Sequence, residues 1–331
     1  MHAGVEVPTS GIFPTMTATK MTLTARSPED VLAMVPVVLG FVPEDSLVML
    51  TFGASHAFHA RVDLPTEARD LPDLVSALLE PAVRHGVRRV LLVAYTGDVP
   101  LAERVTAHLR AAFEGRAIEV LARLAADGNR WWQLPQRSRE PGVPYDVSAH
   151  PFAAEAVVRG LVTHGSRADL SATLAPVPAA VAEVERALAA GPAPVQPGQR
   201  VAEAAWAAGL VRRCAASRTT LRAGPTARLL VGLRELTVRD AAWLTMSRES
   251  AQEHLSFWTG VVRRTPASHL APPAAILGFA AWLSGQGALA WCAVDRSLAA
   301  DPDYRLAGLL ADGLTGAMPP STWDSLGAHT H

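Results

Sequence analysis

The sequence predicts an α/β domain with a mixed sheet, followed by an all-helical domain. Short runs of β-type residues alternate with helical periodicity over residues 21–150, whereas no strand-type run follows Gln199. A Pro- and Gly-rich segment, Gly191–Gly198, separates the two patterns. The chain has 331 residues, 49% of them hydrophobic and 18% charged, which is enough apolar material for two interiors.

The first segment of the chain is aperiodic. Residues 1–20 are rich in Thr, Pro and Gly and lack the apolar run of a secretory signal, so we predict a flexible tail. Ordered patterning begins directly after Met21, which is therefore an alternative start of translation. Residues 326–331 are predicted to be a second tail.

The first helix is predicted after Ser27, whose hydroxyl can cap a helix that begins at Pro28. Asp30, three residues after the cap, fits a capping box. The helix is apolar around its circumference. Pro36 is expected to kink it, and Gly40 is expected to end it.

The sheet domain is predicted to span residues 21–150 in the order α-β-β-α-β-α-β-β. After the first helix, its segments are Ser46–Phe52, Ala57–Asp63, a helix over 70–85, a strand over 87–94, a helix over 100–113, Ile118–Ala125 and Arg130–Leu134. The last two segments are joined by Asp127-Gly128-Asn129, a strong hairpin signal.

The helical half begins with connecting helices over residues 151–190, the first of them over 151–163. A linker is predicted at 191–200 and a helical domain at 201–325. Within this domain, residues 272–302 are spaced like one tetratricopeptide unit, with small residues at Gly278 and Ala290 where its two helices cross. No second copy follows at the expected period of about 34 residues, so an ordinary helical hairpin remains an equal alternative.

Several strings together resemble a known family. They are Leu39–Val48, Arg130–Trp132, Pro144–Asp146, Ala280–Cys292, Asp301–Tyr304 and Pro319–Trp323. On these strings the chain is identified as a member of the actinobacterial family of domains of unknown function numbered four-one-nine-two, over residues 21–323. The resemblance implies no established activity, cofactor or partner. Family members carry cysteines after the double tryptophan, but Gln133–Ser138 has none, so no metal or redox role carries over to it.

Four polar residues are candidates for a ligand cleft, because ligands of open α/β sheets sit beyond the carboxyl ends of the strands. They are Asp63, Tyr95, Asp98 and Asp146. Paired carboxylates there could bind a divalent ion or act as acid and base. The alternative is that Asp98 caps the following helix and Asp63 is a turn residue. This alternative is favoured because caps are far commoner than active sites.

A second set of residues is a candidate for contact with a partner. These are Trp131, Trp132, Trp282, Trp291, Asp295 and Tyr304. Tryptophan is enriched at interfaces, yet in an Ala-rich bundle it is first a core residue, and we favour the core for most of them. The adjacent pair Trp131 and Trp132 should point to opposite faces of a strand.

Composition excludes several functions. Lys20 is the only lysine, so mechanisms that need a buried lysine are excluded. The two cysteines, Cys214 and Cys292, are too few for a disulfide framework, and we predict a cytoplasmic protein without a membrane span. A net charge of −1 and scattered arginine pairs argue against nucleic-acid binding. No metal or cofactor motif occurs.

The sequence therefore predicts a non-catalytic regulatory or protein-interaction protein, which binds a protein or peptide through its helical half. The alternative is a small-ligand sensor or enzyme that uses the cleft at the sheet edge.

Overall fold

Two compact units make up the chain, and they meet in sequence between Arg167 and Ala168. The computed structural model describes residues 15–18, 21–54, 56, 58–136, 141–192 and 194–327. Of the predicted tails, residues 1–14, 19–20 and 328–331 lie outside the described residues.

The first unit contains eight described strands and four helices that precede Arg167. The strands are β1 Thr15–Ala18, β2 Met21–Thr24, β3 Ser46–Phe52, β4 His59–Asp63, β5 Arg89–Tyr95, β6 Glu119–Ala126, β7 Arg130–Gln133 and β8 Val143–Pro144. The helices are α1 Pro28–Leu39, α2 Leu71–Arg84, α3 Val99–Glu114 and α4 Pro151–Val158.

Six of these strands form one sheet in the order β4-β3-β5-β6-β7-β8. The pair β5 and β6 is parallel, and the other neighbours are antiparallel. The prediction of a mixed sheet with helices packed on it is confirmed. The strands β1 and β2 form a separate antiparallel ribbon, so residues 15–18 are a strand within the segment predicted as a tail.

The caps of α1 are as the sequence predicts. The Ser27 hydroxyl accepts a hydrogen bond from the Asp30 amide at 3.1 Å. Gly40 takes the left-handed conformation with φ of 80°, and its amide donates to the Pro36 carbonyl. Local sequence alone therefore fixes both ends of this helix.

The sheet of the first unit is covered on both faces. One face packs with α1 and α4 around the residues Val48, Val93 and Trp131, and the other packs with α2 and α3 around Leu92 and Phe113. Strand β5 is buried except at Arg89, as its continuous apolar run predicts. Trp131 joins the core of the first face and Trp132 packs on the second, which confirms their predicted alternation.

Strand β8 packs tightly against β7 through a glycine. A Cβ atom at Gly142 would lie 2.4 Å from Trp132 Cε2 and 2.8 Å from the Trp131 carbonyl oxygen. Arg130 donates from Nη1 to the Gly142 carbonyl at 2.5 Å. The β7–β8 pairing therefore requires a residue without a side chain at this position. The sequence did not predict β8, because two residues carry too little pattern to register as a strand.

Helix α4 is shorter than the predicted 151–163. It ends at Val158, because Gly160 turns into the left-handed region with φ of 74°. The Leu161 amide then donates to the Ala156 carbonyl, which closes the helix.

The second unit is helical throughout its described part. Its helices are α5 Arg167–Ala172, α6 Pro178–Ala189, α7 Arg200–Ala216, α8 Ala223–Gly232, α9 Leu236–Trp243, α10 Ala251–Val262, α11 Ala271–Leu283, α12 Gly287–Ala300, α13 Arg305–Thr315 and α14 Thr322–Gly327. The predicted helical domain after the sheet is confirmed. The segment 191–200 connects α6 to α7 within this unit, because α6 packs on α8.

Helices α11 and α12 form the hairpin that the small residues predict. A Cβ at Gly278 would lie 3.2 Å from Val294 Cγ2 and 3.4 Å from the Ala290 carbonyl oxygen. Every residue of α11 except Pro272 is buried. The hairpin thus forms the centre of the second unit.

Candidate functional site

A row of side chains crosses the sheet of the first unit at the carboxyl ends of β5 and β6. Strand register pairs Ser46 with Asp63 on one side and with Tyr95 on the other. The row continues from Tyr95 to Ala126 and then to Trp131. Paired residues share a face, so all five point towards α1 and α4. Asp63 and Tyr95, both predicted cleft residues, are two strands or roughly 10 Å apart.

Tyr95 is the buried polar group of this row. The residue is 6% exposed, and its hydroxyl has no hydrogen-bond partner among the described residues. Burial raises the pKa of Tyr95 well above its usual value, and the nearby Tyr145 hydroxyl raises it further. The phenol is therefore neutral at physiological pH. An unpartnered buried hydroxyl costs folding free energy, so it marks a place where a bound molecule could complete a hydrogen bond.

Two hydrogen bonds hold the beginnings of α1 and α4 at this row. Glu29 Oε1 accepts from the Trp131 indole nitrogen at 2.9 Å. Asp30 Oδ1 pairs with His150 Nε2 at 3.1 Å, where the two side chains are about four-fifths buried. These contacts join residues more than a hundred positions apart in sequence.

Both ring nitrogens of His150 are engaged. Nδ1 accepts from the Phe152 amide at 3.3 Å and caps α4, so the proton sits on Nε2 and is donated to Asp30. Asp30 Oδ2 in turn accepts from the Arg26 amide at 2.6 Å. His150 thus caps α4 through one nitrogen and contacts α1 through the other. The Asp30–His150 pair therefore orients two helices.

Arg61 and Asp63 form the charged end of the row. The Arg61 guanidinium donates to Ser46 Oγ at 2.8 Å and bridges to Asp63 at 2.7 Å. The Asp63 side chain is 80% exposed, while Arg61 is mostly covered. The carboxylate is thus accessible to solvent but already neutralised by its neighbour.

The other two predicted cleft residues serve local turns. Asp98 accepts from the Leu101 amide at 2.8 Å and caps α3, on the opposite face of the sheet from Tyr95. Asp146 accepts from the Ser148 amide at 2.8 Å, and hydrogen bonds from Ser148 lower the pKa of Asp146. The structure therefore brings Asp63 and Tyr95 onto one row and leaves Asp98 and Asp146 in capping roles.

Sequence reasoning missed Glu29 and His150 as members of this cluster. His150 precedes Pro151 at the start of a helix, which is a capping signal. Nothing in the sequence pairs it with Asp30, and Glu29 appears only as an acidic residue in a first turn. Long-range pairs of this kind cannot be predicted from local patterns.

The predicted contact residues of the second unit divide by burial. The Trp282 indole is buried and donates to the Met318 carbonyl at 2.8 Å. Trp291 is partly exposed and Asp295, one turn later on α12, is exposed. Tyr304 is partly exposed as a residue, but burial of its hydroxyl raises its pKa, an effect that the adjacent Arg239 opposes.

The described ranges of the chain contain neither a cluster of metal ligands nor a membrane-spanning helix. Within them, no three His, Cys, Asp or Glu side chains gather as metal ligands do. None of the helices described combines the length and the hydropathy needed to cross a bilayer.

Comparison with known proteins gives a family match. The model of the family described as "Domain of unknown function (DUF4192)" matches residues 28–321, nearly the whole chain. No curated protein and no solved structure matches the sequence.

Proposed function

We propose that this chain, which belongs to the DUF4192 family of unknown function, is a non-catalytic, regulatory protein. It binds a partner protein through its helical unit. The observation that carries this proposal is a groove of about 170 Å³ between the 191–200 segment, α7 and α8. Its lining is Pro192, Val195, Gln199, Glu203, Arg228 and Val231.

The groove has the composition of an interaction hot spot. Arg228 makes two bonds to the Glu203 carboxylate, at 2.9 and 2.7 Å, and its guanidinium lies 4.0 Å above the Trp206 ring. An arginine held by both a carboxylate and an indole loses little further entropy when a partner binds. Val195 and Val231 supply apolar contact beside it. We propose that an aliphatic side chain of the partner occupies the groove.

Photo-cross-linking with two neighbouring probe positions tests this proposal. A photoreactive amino acid is placed at Gln199, which lines the groove, or at Val201, which is 79% exposed but does not line it. The full-length protein is irradiated in native lysate, and cross-linked proteins are identified by mass spectrometry. We expect one partner from the Gln199 probe that the Val201 probe does not capture.

The partner is then purified, and its affinity is measured by titration calorimetry. We expect Val195→Asp to weaken binding by about tenfold or more, because a carboxylate would be desolvated in an apolar contact. Val201→Asp is the matched control and should bind like the wild type. Equal affinities of both variants, or the same proteins captured from both probe positions, would contradict the proposal.

The α11–α12 hairpin remains a candidate tetratricopeptide-like unit within this proposal. Its close crossing at Gly278 supports the comparison. Because α11 is enclosed by neighbouring helices, we assign partner binding to the groove and keep Trp291 and Asp295 on α12 as a secondary contact.

A second candidate function is a small-ligand sensor or enzyme that uses the row at the strand ends. The specific observation in its favour is the unpartnered hydroxyl of Tyr95 at the carboxyl ends of the parallel strands. A ligand with a hydrogen-bond acceptor would satisfy that hydroxyl, with Asp63 and Arg61 at the exposed end of the row.

Tyr95→Phe distinguishes a hydroxyl that has no hydrogen-bond partner from one that binds a ligand. If the hydroxyl has no partner in the cell, its removal should raise the free energy of unfolding by about 1 kcal/mol, because a buried unsatisfied group is lost. Urea denaturation of both proteins measures this. A metabolite screen by thermal shift that finds a compound stabilising the wild type and not Tyr95→Phe would instead support the sensor.

We also propose a cytoplasmic location and an actinobacterial source. Neither Cys214 nor Cys292 forms a disulfide, which supports a reducing compartment. Fractionation of cells that express the tagged protein tests the location.

A further inference from the structure

Two segments of the helical unit are basic and contain no carboxylate. Between Ala204 and Arg234 the sequence has no Asp or Glu, and its arginines are Arg212, Arg213, Arg218, Arg222, Arg228 and Arg234. Between His254 and Val294 there is again no Asp or Glu, while Arg263 and Arg264 are adjacent. The protein as a whole has a net charge of −1, so this local excess of positive charge is a property of one region.

The two segments meet at a cavity of about 60 Å³ between the α7–α8 turn and α10. The turn contributes Arg218, Thr219 and Thr220, and α10 contributes Ser256, with Arg264 just beyond its end. The lining therefore offers two guanidinium groups and the Thr220 hydroxyl, because the Ser256 hydroxyl donates to the Gln252 carbonyl and the Thr219 hydroxyl pairs with Ser217. The nearest carboxylate along α10 is Glu253, one turn before Ser256.

Arg264 is held rigidly at this cavity. Its Nε donates to the Gly260 carbonyl at 2.9 Å, and its Nη1 donates to the Leu221 carbonyl across the cavity. Because these two bonds fix the plane of the guanidinium, the remaining donors keep a fixed direction. Arg218 has neither an ion-pair nor a hydrogen-bond partner for its side chain among the described residues.

Helix α8 adds to the positive potential. Its ten residues begin directly after Arg222, and neither a side-chain cap nor an acidic residue in the first turn satisfies its amides. Leu221, which lines the cavity, immediately precedes that N-cap. The positive end of the helix dipole is therefore beside the two arginines, where it favours an anion.

From this arrangement we propose that the cavity binds the phosphate monoester group of a small molecule. A phosphate dianion offers three acceptor oxygens, which suit the fixed fork of Arg264, the unpaired Arg218 and the Thr220 hydroxyl. The cavity, at about 60 Å³, is much smaller than a pocket that encloses a whole drug-sized ligand, so it suits the phosphate group alone, and the rest of the ligand would extend out of it. This inference is independent of the partner-binding groove, because the two sites share no lining residue.

Titration calorimetry on the full-length protein tests the proposal, with inorganic phosphate, glucose 6-phosphate and glucose as probes at constant ionic strength. We expect both phosphates to bind and glucose not to bind. Arg218→Ala should weaken phosphate binding by about tenfold, the effect of losing one charge-assisted contact. Arg234→Ala, which removes an exposed arginine outside the cavity, is the matched control and should bind phosphate within about twofold of the wild type.

A variant that fills the cavity gives an independent test. No atom lies within 4 Å of a Cβ at Gly260, so Gly260→Leu should fold and occupy the cavity. We expect it to lose phosphate binding while its melting temperature stays at or above that of the wild type. The proposal is overturned if neither phosphate binds, if Arg218→Ala and Arg234→Ala weaken binding equally, or if Gly260→Leu binds phosphate like the wild type.

Discussion

His59 is the first residue of strand β4, which pairs with β3. Its ring Nδ1 accepts a hydrogen bond from the Thr51 amide at 3.4 Å, an arrangement that requires an unprotonated nitrogen. Burial of the ring lowers the pKa of His59 from 6.5 to about 4. Geometry and electrostatics thus agree that this histidine is neutral in the folded protein.

The lowered pKa predicts that acid destabilises the first unit. The unfolded state binds the proton more tightly, so the contribution of His59 to stability is complete above pH 6.5 and is lost as the pH falls from 6.5 to about 4. The slope approaches about 1.4 kcal/mol per pH unit for one proton. Urea denaturation at pH 7.0, 5.5 and 4.5 measures it.

In His59→Gln, the slope of the free energy of unfolding against pH should fall by most of the amount that one bound proton contributes. His56→Gln, at an exposed position three residues earlier, is the matched control. A wild-type slope that survives unchanged in His59→Gln would show that another group titrates.

Some contacts of single residues near the strand ends can be predicted from the sequence, and others cannot. The caps formed by Ser27 and Asp98 depend on neighbours three residues away, and the sequence predicts both. The pairs Asp30–His150 and Glu29–Trp131 depend on how α1 and α4 pack on the sheet. No local pattern contains that information.

Among the elements, the hairpin β6–β7 and the short strand β8 differ most in predictability. The pair Asp127-Gly128 predicts the hairpin, and Gly128 has the expected positive φ of 93°. Strand β8 is specified instead by the fit of Gly142 under Trp132. The element exists because of tertiary contact.

Gly142→Ala should destabilise the first unit by about 1–3 kcal/mol, the usual cost of overpacking. The added methyl would collide with the Trp132 ring and with the Trp131 backbone. Gly97→Ala is the control, because no atom lies within 4 Å of a Cβ there. Both variants are compared by urea denaturation followed by tryptophan fluorescence. Equal stabilities would indicate that the β7–β8 contact is loose.

For the whole molecule, the sequence predicts the mixed sheet and the helical half because each has its own periodicity. The sequence places a linker at 191–200, where prolines and glycines cluster. The two units divide at Arg167 and Ala168, a position with no such composition. Residues 168–190 belong to the second unit because they pack on it. Their side chains Leu174 and Val184 are only 1% exposed.

Two truncated chains test this division. Residues 168–331 should fold alone, with cooperative thermal unfolding of their helical circular dichroism, since they keep α6 against α8. Residues 201–331 lack Leu174 and Val184, and we expect a melting temperature at least about 5 °C lower or a loss of cooperativity. Identical unfolding of both chains would place the boundary at the proline-rich segment.

The two outer strands of the six-stranded sheet also determine how the folded first unit behaves at high concentration. Strand β4 is short and carries Arg61 and Asp63, and β8 has two residues, of which Pro144 lacks an amide hydrogen. An incoming strand from another molecule would meet charge at one edge and a missing donor at the other. Edge-to-edge aggregation of the folded unit is therefore disfavoured, and fibrous association would have to begin from an unfolded chain.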